Sequence, residues 1–168
     1  MLQKTHVNEA LERKCPEPIW WATCADDSGR PNAIVLGWAM STSHKPPMIA
    51  ISVGHTRYSH ELIAKSKEFV AVIPSHEMTN ATVLLGTRSG RQGDKMKAAG
   101  VKLLPASVVS APLVDDACAN FECKVVAELA TGDHTIFVGE VLAAHAGPDT
   151  VRRIYTLCDG SFGPVKPF

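Results

Sequence analysis

Three short segments carry polar groups in arrangements that folding alone does not demand. Gly54-His55-Thr56-Arg57-Tyr58-Ser59 is a polar loop that runs straight into a helical pattern beginning at Tyr58. A helix N-terminus leaves backbone N–H groups unpaired and carries partial positive charge, which suits an anion. Thr56 and Ser59 add hydroxyls and Arg57 a full charge, although a capped helix with a solvated arginine reads the same way. The second segment is Thr87-Arg88-Ser89-Gly90-Arg91-Gln92-Gly93-Asp94-Lys95. Between Arg88 and Lys102, five basic residues stand against one acid, Asp94. Its glycines allow close backbone approach, and arginine and lysine bind phosphate oxygens. The GxxxxGK(S/T) spacing of a phosphate loop is absent, so a basic surface loop fits the residues equally well. The third segment, Gly132-Asp133-His134, sits at a hairpin turn, where a histidine can place a proton or orient a cofactor, or simply bond to the turn. If the first two segments met on one phosphate, three or four charge-assisted hydrogen bonds of about 1.5–3 kcal/mol each would supply much of a micromolar affinity, less the ordering costs.

Other chemistries lack their residues. There is no GxSxG elbow for a serine hydrolase and no GxGxxG after a strand for a dinucleotide fold. Gly37-Trp38 interrupts an apolar run; glycine exposes backbone and an indole can wall a flat ring, or pack in a core. The five cysteines, Cys15, Cys24, Cys118, Cys123 and Cys158, are an odd number with no CxxC pair. They read as reduced thiols of a cytoplasmic protein rather than a disulfide framework or a metal site.

The elements that must position these groups follow from periodicity. The 168 residues are 45% hydrophobic, with 17 basic and 17 acidic side chains, which suits one domain over residues 1–168. A neutral chain has no overall field for nucleic acid or an acidic membrane, and its longest apolar run, Ile34 to Met40, is far short of a bilayer span. Lys4, Glu9, Glu12, Arg13 and Lys14 argue against a signal peptide. Helices are expected over Asn8–Lys14, Tyr58–Lys67, Glu77–Leu85 and Asp94–Ala99, the last closed by Gly100. Strands are expected over Ile19–Ala25, Asn32–Met40, Met48–Val53, Phe69–Ile73, Phe121–Leu129 and Thr135–Ala144. Asn32–Met40, apolar throughout, should be central and covered on both faces. Phe121, Cys123, Val125, Ala127 and Leu129 should share one strand face, with Glu122, Lys124 and Glu128 on the other. Strands that outnumber interrupting helices give a mainly β fold with peripheral helices.

Taken together, the chain resembles the flavin reductase-like, FMN-binding split-barrel family, in its flavoredoxin-type branch. The matching stretches include Gly29-Arg30-Pro31-Asn32, Gly37-Trp38, Pro46-Pro47 before Met48–Val53, and Arg57-Tyr58-Ser59 with Glu61-Leu62-Ile63. Further matches are Glu68-Phe69-Val70, Gly86 with Ser89-Gly90-Arg91 and Asp94-Lys95, Ala111-Pro112, Glu122-Cys123, and Gly132-Asp133-His134 with Val138–Val141. The resemblance implies a six-stranded, Greek-key split β-barrel that binds FMN, less often FAD, at a homodimer interface. By analogy, Asn32 and the backbone of Trp38, Ala39, Met40 and Ser41 would meet the ring and ribityl chain. Ser52, Arg57 and Ser59 would meet the phosphate, joined by Ser89, Gly90, Arg91 and Lys95. His134 would lie on the flavin or nicotinamide side as the catalytic candidate.

The activity so implied is NADH- or NADPH-dependent flavin reduction, with a monooxygenase or another redox partner as acceptor. Its rivals are an FMN-holding electron carrier reduced by a protein partner, and a split-barrel protein without flavin. Trp20-Trp21 and Met96 depart from the family's usual residues, which bears on packing beside the ring. Trp20, Trp21 and Trp38 would suit an apolar dimer interface. Phe162 or Phe168 would cover a flavin or close the barrel.

Overall fold

The structure is a computed structural model that describes residues 2–164; Phe168 lies outside the described residues. Helix α1 (Val7–Leu11) and a 3-10 turn precede β1 (Glu17–Pro18), β2 (Trp20–Ala25), β3 (Pro31–Leu36), β4 (Ala39–His44) and β5 (Pro47–Gly54). Next come α2 (Tyr58–Ser66), β6 (Glu68–Ile73), α3 (Thr79–Thr87), α4 (Lys95–Ala98), and the short strands β7 (Leu103–Leu104) and β8 (Leu113–Val114). A long hairpin, β9 (Ala119–Thr131) and β10 (His134–Ala146), leads to β11 (Ile154–Thr156) and β12 (Phe162–Pro164).

Seven strands pair antiparallel in the order β3-β2-β6-β9-β10-β5-β4. The fold is mainly β with peripheral helices, as expected, but the sheet does not close by strand pairing. The apolar run expected as one central strand breaks at Gly37, and its two halves, β3 and β4, take opposite edges of the sheet. Gly37 permits the break: a Cβ there would sit 3.0 Å from Glu17 Oε2. The expected six strands thus become seven.

Both faces of the β2–β3–β6 half are covered, which explains its continuous apolar sequence. Trp20, Leu36, Ile51, Phe69 and Phe137 face an inner core shared with Leu62 and Ile63 of α2. Trp21, Val70 and Val72 face outward against Leu85 of α3 and Met96 of α4. Trp20 and Trp21 are therefore core residues rather than interface ones, and of the three tryptophans only Trp38 is exposed.

The β9–β10 ladder departs from simple alternation. Val138 pairs with Ala127 but Gly139 pairs with Val125, so Val126 is the extra residue of a bulge. Past it the faces exchange: Leu129 shares a cross-strand row with Ile136 and Ser52 on the outer face, away from Cys123. Leu129 is 60% exposed.

Glu122, expected on a polar face, is fully buried. Its carboxylate accepts from Ser107 N at 3.0 Å, Ser107 Oγ at 2.6 Å, Val108 N at 2.7 Å and Val109 N at 3.2 Å. His145 Nε2 lies 2.7 Å from it. Burial alone would push this carboxyl's pKa up, but the Ser107 hydroxyl and the backbone amides outweigh it and hold the pKa at about 2.

The thiol assignment also changes. Cys15 and Cys158, 143 residues apart, form a disulfide with Cα atoms 6.0 Å apart. It ties the segment before β1 to the turn after β11, and β1 and β11 already pair. Spacing of that length leaves no local sequence signal, and two of the five thiols expected to be reduced are paired. Cys24, Cys118 and Cys123 are free; burial pushes Cys24 up to about 11 and Cys123 up to about 12, so both are inert thiols. No described helix is long and apolar enough to cross a membrane.

Candidate functional site

The break at Gly37, the N-terminus of α2, the segment after α3 and the hairpin turn converge on one cleft of about 500 Å³, within the usual range for small-molecule sites. Its cations are Arg57, Arg88 and Lys95, and among the described residues no acidic side chain lines it. Hydroxyls come from Ser52, Thr56, Ser59, Thr87 and Ser89. Trp38, Tyr58 and His134 give aromatic walls. Such a lining suits an anion carrying a flat ring.

Each polar group is placed by its element. Helix α2 begins after Arg57 with no side-chain cap; His60 N donates to Arg57 O at 3.0 Å, so the Tyr58 and Ser59 N–H groups of the first turn are the ones left for a ligand. Ser59, in that first turn, accepts from Asn32 Nδ2 of β3 at 2.7 Å. Asn32 is 3% exposed and its Oδ1 is buried without a partner. Gly90 packs directly on this amide: a Cβ there would lie 2.2 Å from Asn32 Oδ1 and 3.1 Å from Tyr58 Cδ1. Only glycine lets the loop come so close.

Lys95 is 8% exposed at the start of α4. Its Nζ donates to Leu85 O at 2.9 Å and Arg88 O at 3.0 Å, carbonyls at the C-terminal end of α3. An ammonium has three donors, so one remains for the cleft. Burial holds its pKa below the usual lysine value, and Arg57 pushes the same way; an anion between them would relieve both effects.

His134 lies beside Gly54 in the register of β10 with β5. Its Nδ1 is 2.6 Å from Asp133 Oδ1, an acceptor-only group, so Nδ1 carries a proton, and in the neutral ring Nε2 is the acceptor. The hydrogen bond from His134 holds the Asp133 pKa below the ordinary carboxylate value. The Trp38 and His134 rings stand 5.0 Å apart at 45°, and Lys14 Nζ lies 5.5 Å over the indole.

Of the residues named from sequence, Asn32, Trp38, Ser52, Arg57, Ser59, Ser89, Gly90, Lys95 and His134 line the cleft. Ala39, Met40 and Ser41 lie beyond it on the edge strand β4, with Ala39 packed on the inner core. Arg91 turns away to Glu61 on α2. Sequence reasoning did not assign Tyr58, Thr87, Arg88 and Gln92 to the lining, although all stand in segments whose polarity it singled out. Ile34, Val35 and Leu85 are ordinary apolar residues with no such signal.

Comparison with known proteins bears on the same stretch. The family description "Flavin reductase like domain" matches residues 12–166. An uncharacterised protein of Archaeoglobus fulgidus is 38% identical over 113 residues, 67% of this chain; the chain spans 64% of that relative's length. Flavoredoxin of Desulfovibrio vulgaris (Miyazaki F) superposes with a TM-score of 0.82 at 24% identity, covering 92% of this chain and 89% of that one. An FMN-binding protein from Thermus thermophilus superposes with a TM-score of 0.85 at 22% identity, covering 98% and 94%. With nearly the whole cleft-forming chain inside the matched region, this chain belongs to the flavin reductase-like domain family.

Proposed function

We propose that this chain is an FMN-binding oxidoreductase that uses NADH or NADPH to reduce flavin and passes the electrons to a redox partner such as a monooxygenase. The observation that carries this reading is a cleft holding Arg57, Arg88 and Lys95 and, among the described residues, no acid and one buried amide oxygen without a partner. The residues fit FMN. Arg57, Ser59, Ser89 and Lys95 would hold the phosphate with Arg88, and Asn32 Oδ1 would accept from a ribityl hydroxyl or a ring N–H. Ser52 and the backbone at Trp38 would meet the ring edge. FMN itself would supply the hydride acceptor. His134 presents Nε2 at the end of the cleft, where it orients a donor group without having to move a proton.

A second copy of the chain is part of this reading. Met40, Ala50, Val138 and Ala127 form one cross-strand row on the outer face, beside the row of Ser52, Ile136 and Leu129. Met40, Leu129 and Trp38 are 61%, 60% and 52% exposed, an apolar stripe continuous with the cleft. Sedimentation at dimer mass supports it, and monomer mass at micromolar concentration counts against it.

The direct test is the visible spectrum of the protein with FMN, before and after anaerobic NADH or NADPH. Bound flavin that bleaches with either nucleotide supports a reductase. Bound flavin that stays yellow points instead to an electron carrier reduced by a protein partner. Failure to take up FMN sinks both.

A further inference from the structure

Ser89, Gly90 and Gln92 line the cleft, but Arg91 between them does not. Its guanidinium hydrogen-bonds the Glu61 carboxylate of α2 and lies 5.0 Å from the Tyr58 ring centroid. Tyr58 and Glu61 are one turn apart on that helix, so a single side chain reaches both. Arg30 approaches the same ring at 6.0 Å and donates from Nη2 to the Tyr58 hydroxyl at 3.2 Å. Tyr58 is itself a wall of the cleft. The segment after α3 is therefore pinned from two sides: Lys95 from within, through the Leu85 and Arg88 carbonyls, and Arg91 from without, through Glu61 and Tyr58.

We propose that Arg91 is a positioning residue: a latch that holds the Ser89–Gln92 turn and the Tyr58 ring together over the cleft, and so sets how long a bound flavin stays without touching it. This rests on the FMN reading above. The alternative assignment, direct contact with the phosphate, makes opposite predictions. If Arg91 met the phosphate, neutralising Glu61 would remove a negative charge beside an anion and tighten FMN. If Arg91 is a latch, neutralising Glu61 loosens its anchor and speeds release. A phosphate contact also matters only for FMN, whereas a latch retains riboflavin, which has no phosphate, just as well.

The experiment measures release rates of FMN and riboflavin, by flavin fluorescence, from the wild type and from Arg91→Ala, Arg91→Lys, Glu61→Gln and the Arg91→Ala/Glu61→Gln double variant. Expected is faster release of both flavins, by about three- to tenfold, from Arg91→Ala, the size of an exposed ion pair plus a cation–π contact. Glu61→Gln shifts the same way, Arg91→Lys recovers part of the loss, and the double variant is no worse than Arg91→Ala. Tighter FMN in Glu61→Gln, or an Arg91→Ala effect confined to FMN, overturns the latch. If the wild type takes up neither flavin, the FMN reading fails, and the latch is judged by amide hydrogen exchange in the ligand-free protein. Faster exchange at residues 89–92 in Arg91→Ala supports it; unchanged exchange overturns it.

Discussion

Two of the buried polar clusters among the described residues are built on opposite plans. Around Glu122 the carboxylate oxygens are met by Ser107, Val108, Val109 and His145, and the knot is complete as it stands. In the cleft, Asn32 spends its amide N–H on Ser59 yet leaves its oxygen unpaired. Lys95 likewise spends two donors on carbonyls and keeps a third. Buried polar groups are normally satisfied, so a closed cluster marks structure, whereas an open one beside a cationic cleft marks a place for a ligand.

That contrast is breakable from either side. Glu122→Gln replaces an acceptor with a donor among donors and should lower unfolding free energy by about 2–4 kcal/mol in a urea titration, with FMN affinity unchanged. Lys95→Met should do the reverse: FMN affinity falls about ten- to hundredfold by fluorescence titration, with a smaller loss of stability. Acid sharpens the first result. A carboxyl held at about 2 stabilises the fold above the ordinary glutamate range, and that contribution is lost as pH falls through about 2. Glu122→Gln should therefore flatten the wild type's stability loss across that window. The smallest effect is expected from Asn32→Ala, where FMN affinity drops about tenfold while stability changes by about 1 kcal/mol. A larger fall in stability than in binding would make Asn32 a core residue and close the open cluster.

The sequence revealed these two regions unequally. The α2 loop was legible because polar residues interrupt an apolar pattern and then join a helix, and the Ser89–Lys95 loop because its charge is lopsided. Residue type does not say which side of that loop a guanidinium takes, and Arg91 pairs with Glu61 on α2. Glu122 read as a solvated strand residue because its partners, Ser107 to Val109, come from a distant loop. The apolar run through Gly37 looked like one strand, since nothing local announces that Glu17 packs against that glycine. Val126 hid its bulge for a related reason: an extra residue keeps its type and changes only its register. Local chemistry was readable; long-range pairing was not.

The disulfide between Cys15 and Cys158 gives the chain a different topology from the one its termini suggest. The cross-link closes residues 15–158, a sequence separation of 143, into one covalent ring. In the chain-entropy view, a loop of that size restricts the unfolded ensemble by at most about 5 kcal/mol. A protease cut inside the ring linearises it but releases no fragment, so a nicked protein runs as one species until it is reduced.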